Sequence, residues 1–271
     1  MGTNSIPFTA RHDRIAVYIP NLIGYARIIC ALMAFGMSSI SVYMTLVLYF
    51  LSFACDELDG RVARLLGQQS TMGAVLDMVT DRVATCGLVT VLYGRIMDDS
   101  VLQGLSERVG ELLGVDVGMT GVRVVATVVL IGLMFLDVIS HWFHMYASLA
   151  TQGLGSSHKT TNTKDPWLIQ MYYKHRMFMG YCCVCVEVEY LVLYAMTCHQ
   201  VMRQWDMVAI GVAVLCGPGF ILKQIANGVQ LRRACAKLIE LDLEKEKKAT
   251  RTGRSTTPRS RKTSRSRTPR S

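Results

Sequence analysis

Between Ile28 and Cys55 the chain runs for 28 residues without a charged side chain. An α-helix crosses the hydrocarbon core of a bilayer, about 30 Å thick, with roughly 20 mostly apolar residues. The run is too long for one crossing and suits two, with Ser38-Ser39 as a tight turn between them. A first helix is therefore expected over 20–38 and a second over 41–66. Further apolar stretches predict helices over 73–96, 120–148, 177–199 and 206–231, so the expected fold is all-α, integral to a membrane, with six transmembrane helices.

Composition agrees, since 51% hydrophobic against 18% charged residues excludes an ordinary soluble enzyme. The formal net charge of +9 looks like a nucleic-acid signal until it is located: beyond Leu231 the chain carries 14 Lys and Arg against 4 Asp and Glu. Basicity thus belongs to the tail. "RTGRSTTPRSRKTSRSRTPRS" (251–271) alternates Arg with Ser and Thr, has no apolar face to bury and interleaves no aromatic residue for base stacking. It is read as a disordered segment attracted to anionic lipid, not as a nucleic-acid module. Three regions follow: a cytoplasmic segment 1–19, a six-helix domain 20–231 and a basic tail 232–271, disordered from about 246. The first residues, "MGTNSIPFTARHDR", lack the apolar core of a signal peptide, and most of the nine cysteines sit in apolar runs without metal-type spacing.

Charge also predicts orientation. Segment 149–176 holds Lys159, Lys164, Lys174 and Arg176 against Asp165, whereas 95–119 holds Arg95 and Arg108 against five acids. Loops rich in Lys and Arg stay cytoplasmic. With six spans, the N-terminus, the 66–72 turn, the 149–176 loop and the tail then share the cytosolic side.

At that side lies "DELDGRVARLLGQQSTMGAVLDMVTDR" (56–82), which places Asp56, Asp59, Asp77 and Asp81 among apolar neighbours. Asp56, Asp59 and Ala63 are spaced i, i+3, i+7 and share a helix face; Asp77 and Asp81 are i, i+4 and share another. A short polar turn ending at Thr71 folds the two helices together, so the four carboxylates converge. Bare acids in a span cost roughly 2.5–3.5 kcal/mol each on insertion scales. Salt bridges from Arg61, Arg64 or Arg82 are one remedy. Divalent cations are the better one: Mg²⁺ takes carboxylate oxygens together with substrate phosphates, and paired ions clamp the attacking and leaving oxygens of a phosphoryl displacement. Gly60 and Ala63 leave room for a substrate, and Arg64 can hold a phosphate.

The spacing Asp56-x2-Asp59-Gly60-x2-Ala63-Arg64-x8-Gly73-x3-Asp77-x3-Asp81 resembles, without a gap, the signature of the CDP-alcohol phosphatidyltransferases. The resemblance implies that family's six-helix fold, a homodimer, and a Mg²⁺ or Mn²⁺ site made by Asp56, Asp59, Asp77 and Asp81. It also implies a CDP site involving Asn21, Asp56, Asp59, Gly60, Ala63, Arg64, Thr71 and Asp77, with Asp81 as base for the acceptor hydroxyl. An unperturbed Asp titrates near 3.9, as a rule of thumb (~), so it cannot strip an alcohol in advance. It can take a proton that grows acidic as attack proceeds. Arg27 belongs to the same N-terminal pattern and is expected near the donor phosphates; Asn21 has the alternative of capping the first helix.

"PNLIGYARI" (20–28), "DVISHWFHMYASL" (137–149), "GSSHK" (155–159) and "YYKHR" (172–176) resemble the eukaryotic phosphatidylinositol synthases of that family. The resemblance implies CDP-diacylglycerol and myo-inositol as substrates, in the endoplasmic reticulum or Golgi membrane. Asp137, Ser140, His141 and His144 stand at i, i+3, i+4, i+7 and form one polar stripe, a mixture suited to the hydroxyls of inositol; Lys159 and Arg176 could join them. The stripe has the alternative of a polar contact between spans. Glu187 and Glu189, two apart, cannot share a face, so at least one is expected to pair with a neighbouring span. Other acceptors on the same fold (choline, serine, glycerol phosphate) or a divalent-cation transporter are the competing functions.

Overall fold

In the computed structural model, which describes residues 14–151 and 167–255, Pro20 sits in the first turn of α1 (Ile19–Met37), where a missing N–H leaves nothing unpaired. The Ser38 hydroxyl donates to the Phe35 carbonyl at 2.7 Å where α1 stops. Ser41 then caps α2 (Val42–Leu65), accepting from the Met44 N–H at 3.4 Å. The serines in the uncharged run thus provide both a stop and a start.

Between α2 and α3 (Thr71–Ile96) the chain reverses at Gly67, whose φ is +63°. Ser70 caps α3 by accepting from the Gly73 N–H at 2.9 Å. A side chain at position 67 would meet no atom within 4 Å. The cost of Gly67→Ala is therefore the backbone alone, about 1–2 kcal/mol in the left-handed region. It is expected to lower Tm by roughly 2–8 °C without touching the rate at saturating substrate. Thermal unfolding in detergent checks this, and an unchanged Tm would refute it.

The acidic segment after α3 carries a helix of its own, α4 (Asp99–Leu113), capped by Asp98 and ended at Gly114 with φ +67°. It buries Leu102, is tied to α5 (Met119–Thr151) by Arg123 to Asp99 at 2.8 Å, and donates from Ser106 to the Val117 carbonyl in the connection before α5. A short α6 (Trp167–Lys174), α7 (Arg176–Met196) and α8 (His199–Ser255) complete the order. α8 does not break at residue 231 or at 246. Its Leu-, Glu- and Lys-rich continuation consists of good helix formers and reaches Ser255. Residues 256–271 and Lys159 lie outside the described residues.

α1 packs on α2 and α3, and α8 on α5 and α7. One buried cluster joins Ala34, Tyr49, Leu88, Leu92, Tyr190 and Tyr194; a second joins Tyr172, Cys182, Leu222 and Ala226. The Phe35 ring occupies the place a side chain on Gly87 would need, which brings α1 close against α3. Val124, Val125, Val128 and Phe135 of α5 point outward, as a lipid-facing helix requires.

Four helical segments among the described residues are long and apolar enough to cross a membrane: Ile19–Met37, Met119–Thr151, Arg176–Met196 and Met207–Lys247. The protein is therefore an all-α, multi-pass membrane protein. α2 and α3 match the second and third expected spans in position. They stand apart in composition because the acids and arginines of the motif interrupt their apolar length.

Candidate active site

Helical spacing puts Asp56 and Asp59 on one side of α2, and the Gly67 turn folds α3 back so that Asp77 meets them. Carboxylate oxygens of the three lie within 4.8 Å of one another. Asp81, one turn beyond Asp77, continues the acidic face along α3.

The cation among these acids comes from α1. The Arg27 guanidinium contacts Asp56 and Asp81 and reaches Asp77 at 3.4 Å. Arg27 is almost fully buried, and its carbonyl accepts from the Ser52 hydroxyl at 3.0 Å, which pins this part of α1 to α2. Of the three arginines the sequence offered as partners, only Arg82 touches a motif acid, at 3.5 Å from Asp81. Arg61 pairs with Glu57 at 2.7 Å instead. Arg64 lies beside Gly60, its Nη1 3.5 Å from the place a side chain there would begin.

Arg27 also separates two cavities. A groove of about 690 Å³ opens on one side, and every residue expected at the CDP site except Asp56 lines it. Gln68, Gln69 and Ser70 give it polar lining, while Met145 and Leu149 of α5 add apolar lining. Gly73 has a steric reason to lack a side chain: a Cβ there would lie 2.9 Å from the Asn21 amide oxygen. Asn21 does not cap α1, whose cap position is Tyr18. Its amide donates to the Ile15 carbonyl at 2.6 Å, which ties the preceding turn to the helix.

On the other side of Arg27 lies a smaller cavity of about 90 Å³, lined by Asp56, Asp81, Arg82, Asp137, Glu187 and Lys223 among others. The acid cluster is thus the shared wall of the two: Asp59 and Asp77 face the groove, Asp56 and Asp81 the smaller cavity.

A family model described as CDP-alcohol phosphatidyltransferase matches residues 17–131, from the start of α1 into α5. The probable CDP-diacylglycerol–inositol 3-phosphatidyltransferase 2 of Arabidopsis thaliana is 34% identical over 243 residues, 86% of this chain and 95% of the relative. The CDP-diacylglycerol–inositol 3-phosphatidyltransferase of Saccharomyces cerevisiae is 33% identical over 242 residues, 89% of this chain and 95% of the relative. That of Schizosaccharomyces pombe is 30% identical over 267 residues, 92% and 98%. The chain belongs to the CDP-alcohol phosphatidyltransferase family. No solved structure matches it.

Membership makes the chain a membrane transferase of phospholipid biosynthesis, and the acids suit the metal such chemistry uses. Three carboxylates from two helices form an all-oxygen donor set, which hard ions such as Mg²⁺ and Mn²⁺ prefer. Arg27 lodged against three acids shows that the cluster demands positive charge.

The residues expected around the acceptor are divided by the fold. Asp137 lines the smaller cavity, held by Arg82 at 2.6 and 2.7 Å. Ser140 is buried and turns back to the Asp137 carbonyl at 3.0 Å. His141 Nδ1 lies 2.8 Å from that same carbonyl. Ser140, His141, His144 and Arg176 line neither cavity, and the last two are exposed. Of the stripe, the Asp137 carboxylate makes contacts to other helices, with Arg82 and Asn227, while Ser140 and His141 turn back on the backbone of their own helix. Glu187 pairs as expected: Tyr49 of α2 and Thr85 of α3 each donate to its carboxylate, the latter at 2.6 Å.

Two residues of α8 escaped the sequence reading. Lys223 lines the smaller cavity, and Asn227, four residues on, links it to Asp137. Their signal was present, since a lysine inside an apolar span is by itself a reason to suspect a functional site.

Proposed function

We propose that the chain transfers the phosphatidyl group of CDP-diacylglycerol to myo-inositol, giving phosphatidylinositol and CMP. The observation that carries this reading is the acid cluster standing as a common wall between a large groove and a small polar cavity. An in-line displacement sets the attacking and leaving oxygens on opposite sides of the phosphorus, so a phosphorus held at the acid cluster would have its leaving group on the groove side and the acceptor on the side of the smaller cavity. The choice of inositol rests on the names of the relatives, all of which cover most of the chain.

In this reading the CDP moiety lies in the groove near Asn21, Asp59, Gly60, Ala63, Arg64 and Thr71, with its acyl chains leaving toward lipid. Mg²⁺ or Mn²⁺ held by Asp56, Asp59, Asp77 and Asp81 would neutralise charge on the diphosphate and polarise the phosphorus under attack. Inositol presents its reacting edge to the smaller cavity with one hydroxyl toward Asp81. Its oxygen bonds to the phosphatidyl phosphorus as the bond to the bridging oxygen breaks. CMP departs with that electron pair, and Asp81 receives the hydroxyl proton and passes it to solvent. In the same reading α2 and α3 complete six crossings, the Lys- and Arg-rich connections support a site facing the cytosol, and the family resemblance suggests the endoplasmic reticulum or Golgi membrane. A homodimer, following the family, is the proposed assembly.

The test is incorporation of labelled inositol into lipid by membranes that have no such activity of their own, supplied with CDP-diacylglycerol. Labelled lipid and equimolar CMP are expected, lost with EDTA and restored by Mg²⁺ or Mn²⁺. CMP release with choline, serine or glycerol phosphate in place of inositol would keep the fold and change the acceptor.

A further inference from the structure

The smaller cavity holds more charge than the chemistry just described requires, and nearly all of it is committed. Both Asp137 oxygens accept from Arg82, and Oδ1 also accepts from the Asn227 amide at 3.0 Å. Asp56 is taken by Arg27, and Asp81 by Arg27 and Arg82. Glu187 accepts through both oxygens. Lys223 is different. It is 5% exposed, and among the described residues its ammonium gives one hydrogen bond, to the Asn227 amide oxygen at 2.8 Å, and has no carboxylate within 4.0 Å. An ammonium has three donors, so two remain unspent at the cavity wall.

We infer that Lys223 selects the acceptor by charge, donating to hydroxyls of a neutral polyol and repelling acceptors that carry an ammonium group. This inference rests on the reading that the smaller cavity receives the acceptor. A buried cation with unspent donors gains from oxygen lone pairs, because leaving charged donors unmade out of water is costly. A second ammonium beside it would be opposed by Coulomb repulsion that little solvent screens. Inositol offers only hydroxyls. Ethanolamine and choline each bring an unbalanced positive charge. Asn227 positions Lys223 and links it by hydrogen bonds to the Asp137–Arg82 pair, whose guanidinium stands 3.5 Å from Asp81, so acceptor sensing and the proton-accepting acid share one polar chain that ends in an ion pair. At about 30 Å³ per water, the cavity of about 90 Å³ has room for roughly three waters, enough to admit the reacting edge of a small ring.

The experiment measures inositol and CDP-diacylglycerol kinetics for the parent, Lys223→Met and Lys223→Arg in the same membranes. Lys223→Met is expected to raise KM for inositol at least tenfold, with kcat and the donor KM within about threefold, the signature of lost acceptor binding. Lys223→Arg is expected to recover most of it. Competitors sharpen the test: inositols with one hydroxyl replaced by an amine, set against those with the same hydroxyl replaced by hydrogen. At one ring position or more the amine is expected to compete at least tenfold more weakly in the parent, and equally in Lys223→Met. A merely structural lysine would change stability and kcat without moving this ratio. An unmoved inositol KM in folded Lys223→Met overturns the inference. So do equal amine and deoxy competitors in the parent, a result that stands even where Lys223→Met does not fold. A parent that makes no inositol lipid at all overturns the acceptor reading and this inference with it, whereas normal lipid with an unmoved KM overturns this inference alone.

Discussion

Asp81→Asn is expected to slow phosphatidyl transfer by a factor of about 10²–10⁴, at saturating donor, inositol and Mn²⁺. The amide keeps the shape of the side chain and can still accept from Arg27 and Arg82, which hold Asp81 in place. It cannot take the proton that the attacking hydroxyl releases. Asp56, Asp59 and Asp77 remain together within 4.8 Å, so Mn²⁺ binding read by electron paramagnetic resonance should survive in this variant, at somewhat raised concentration. Asp77→Asn provides the contrast. It removes a member of the three-acid cluster and is expected to lose bound Mn²⁺ and activity together. The two variants separate proton acceptance from metal holding on adjacent turns of one helix. An Asp81→Asn protein that keeps more than a tenth of the parent rate would remove Asp81 from the proton-accepting role.

Much of the architecture is legible in the sequence because a bilayer leaves few choices. The expected helices over 20–38, 41–66 and 73–96 correspond to Ile19–Met37, Val42–Leu65 and Thr71–Ile96; Ser41 and Ser70 cap where an uncharged run or a polar turn permits a start. What periodicity does not reveal is which side of a helix meets which neighbour. Asp137 and His144 do share a face of α5, yet seven residues separate them by about 10 Å along the axis. One reaches the interior cavity and the other emerges exposed. The partner of the motif acids was equally hidden. Arg61, Arg64 and Arg82 are near them in the chain, while Arg27 arrives from a different helix by packing of α1 on α2 and α3. The helix in the acidic segment, α4, was missed because its amphipathic pattern lies outside any span, and nothing in a search for 20-residue apolar runs registers it.

The pair Arg82–Asp137 should prove the strongest energetic coupling between helices. Its side chains are 19% and 13% exposed, and the two hydrogen bonds of 2.6 and 2.7 Å join α3 to α5. Removing one partner of a buried pair costs about 3–5 kcal/mol, because the other charge is left without compensation. For a chain of this size that is a fall in Tm of roughly 6–20 °C. Arg82→Met is expected to fall in this range, since Asp137 would keep only the Asn227 amide as a hydrogen-bond partner. Asp137→Asn should cost less: the amide still accepts, and Arg82 has Asp81 at 3.5 Å to turn toward. That second contact would draw the guanidinium onto the proton-accepting acid, so Asp137→Asn is expected to lose more activity than stability. The combined Arg82→Met, Asp137→Leu protein removes both charges and should recover a large part of the lost Tm, because an apolar pair of similar volume replaces a buried ion pair at little cost. Thermal unfolding of the parent, the singles Arg82→Met and Asp137→Leu, and the double gives the coupling energy directly. A value near zero would mean that the two side chains are stabilised separately, and that the chain from Asp81 through Arg82 and Asp137 to Lys223 is not one energetic unit.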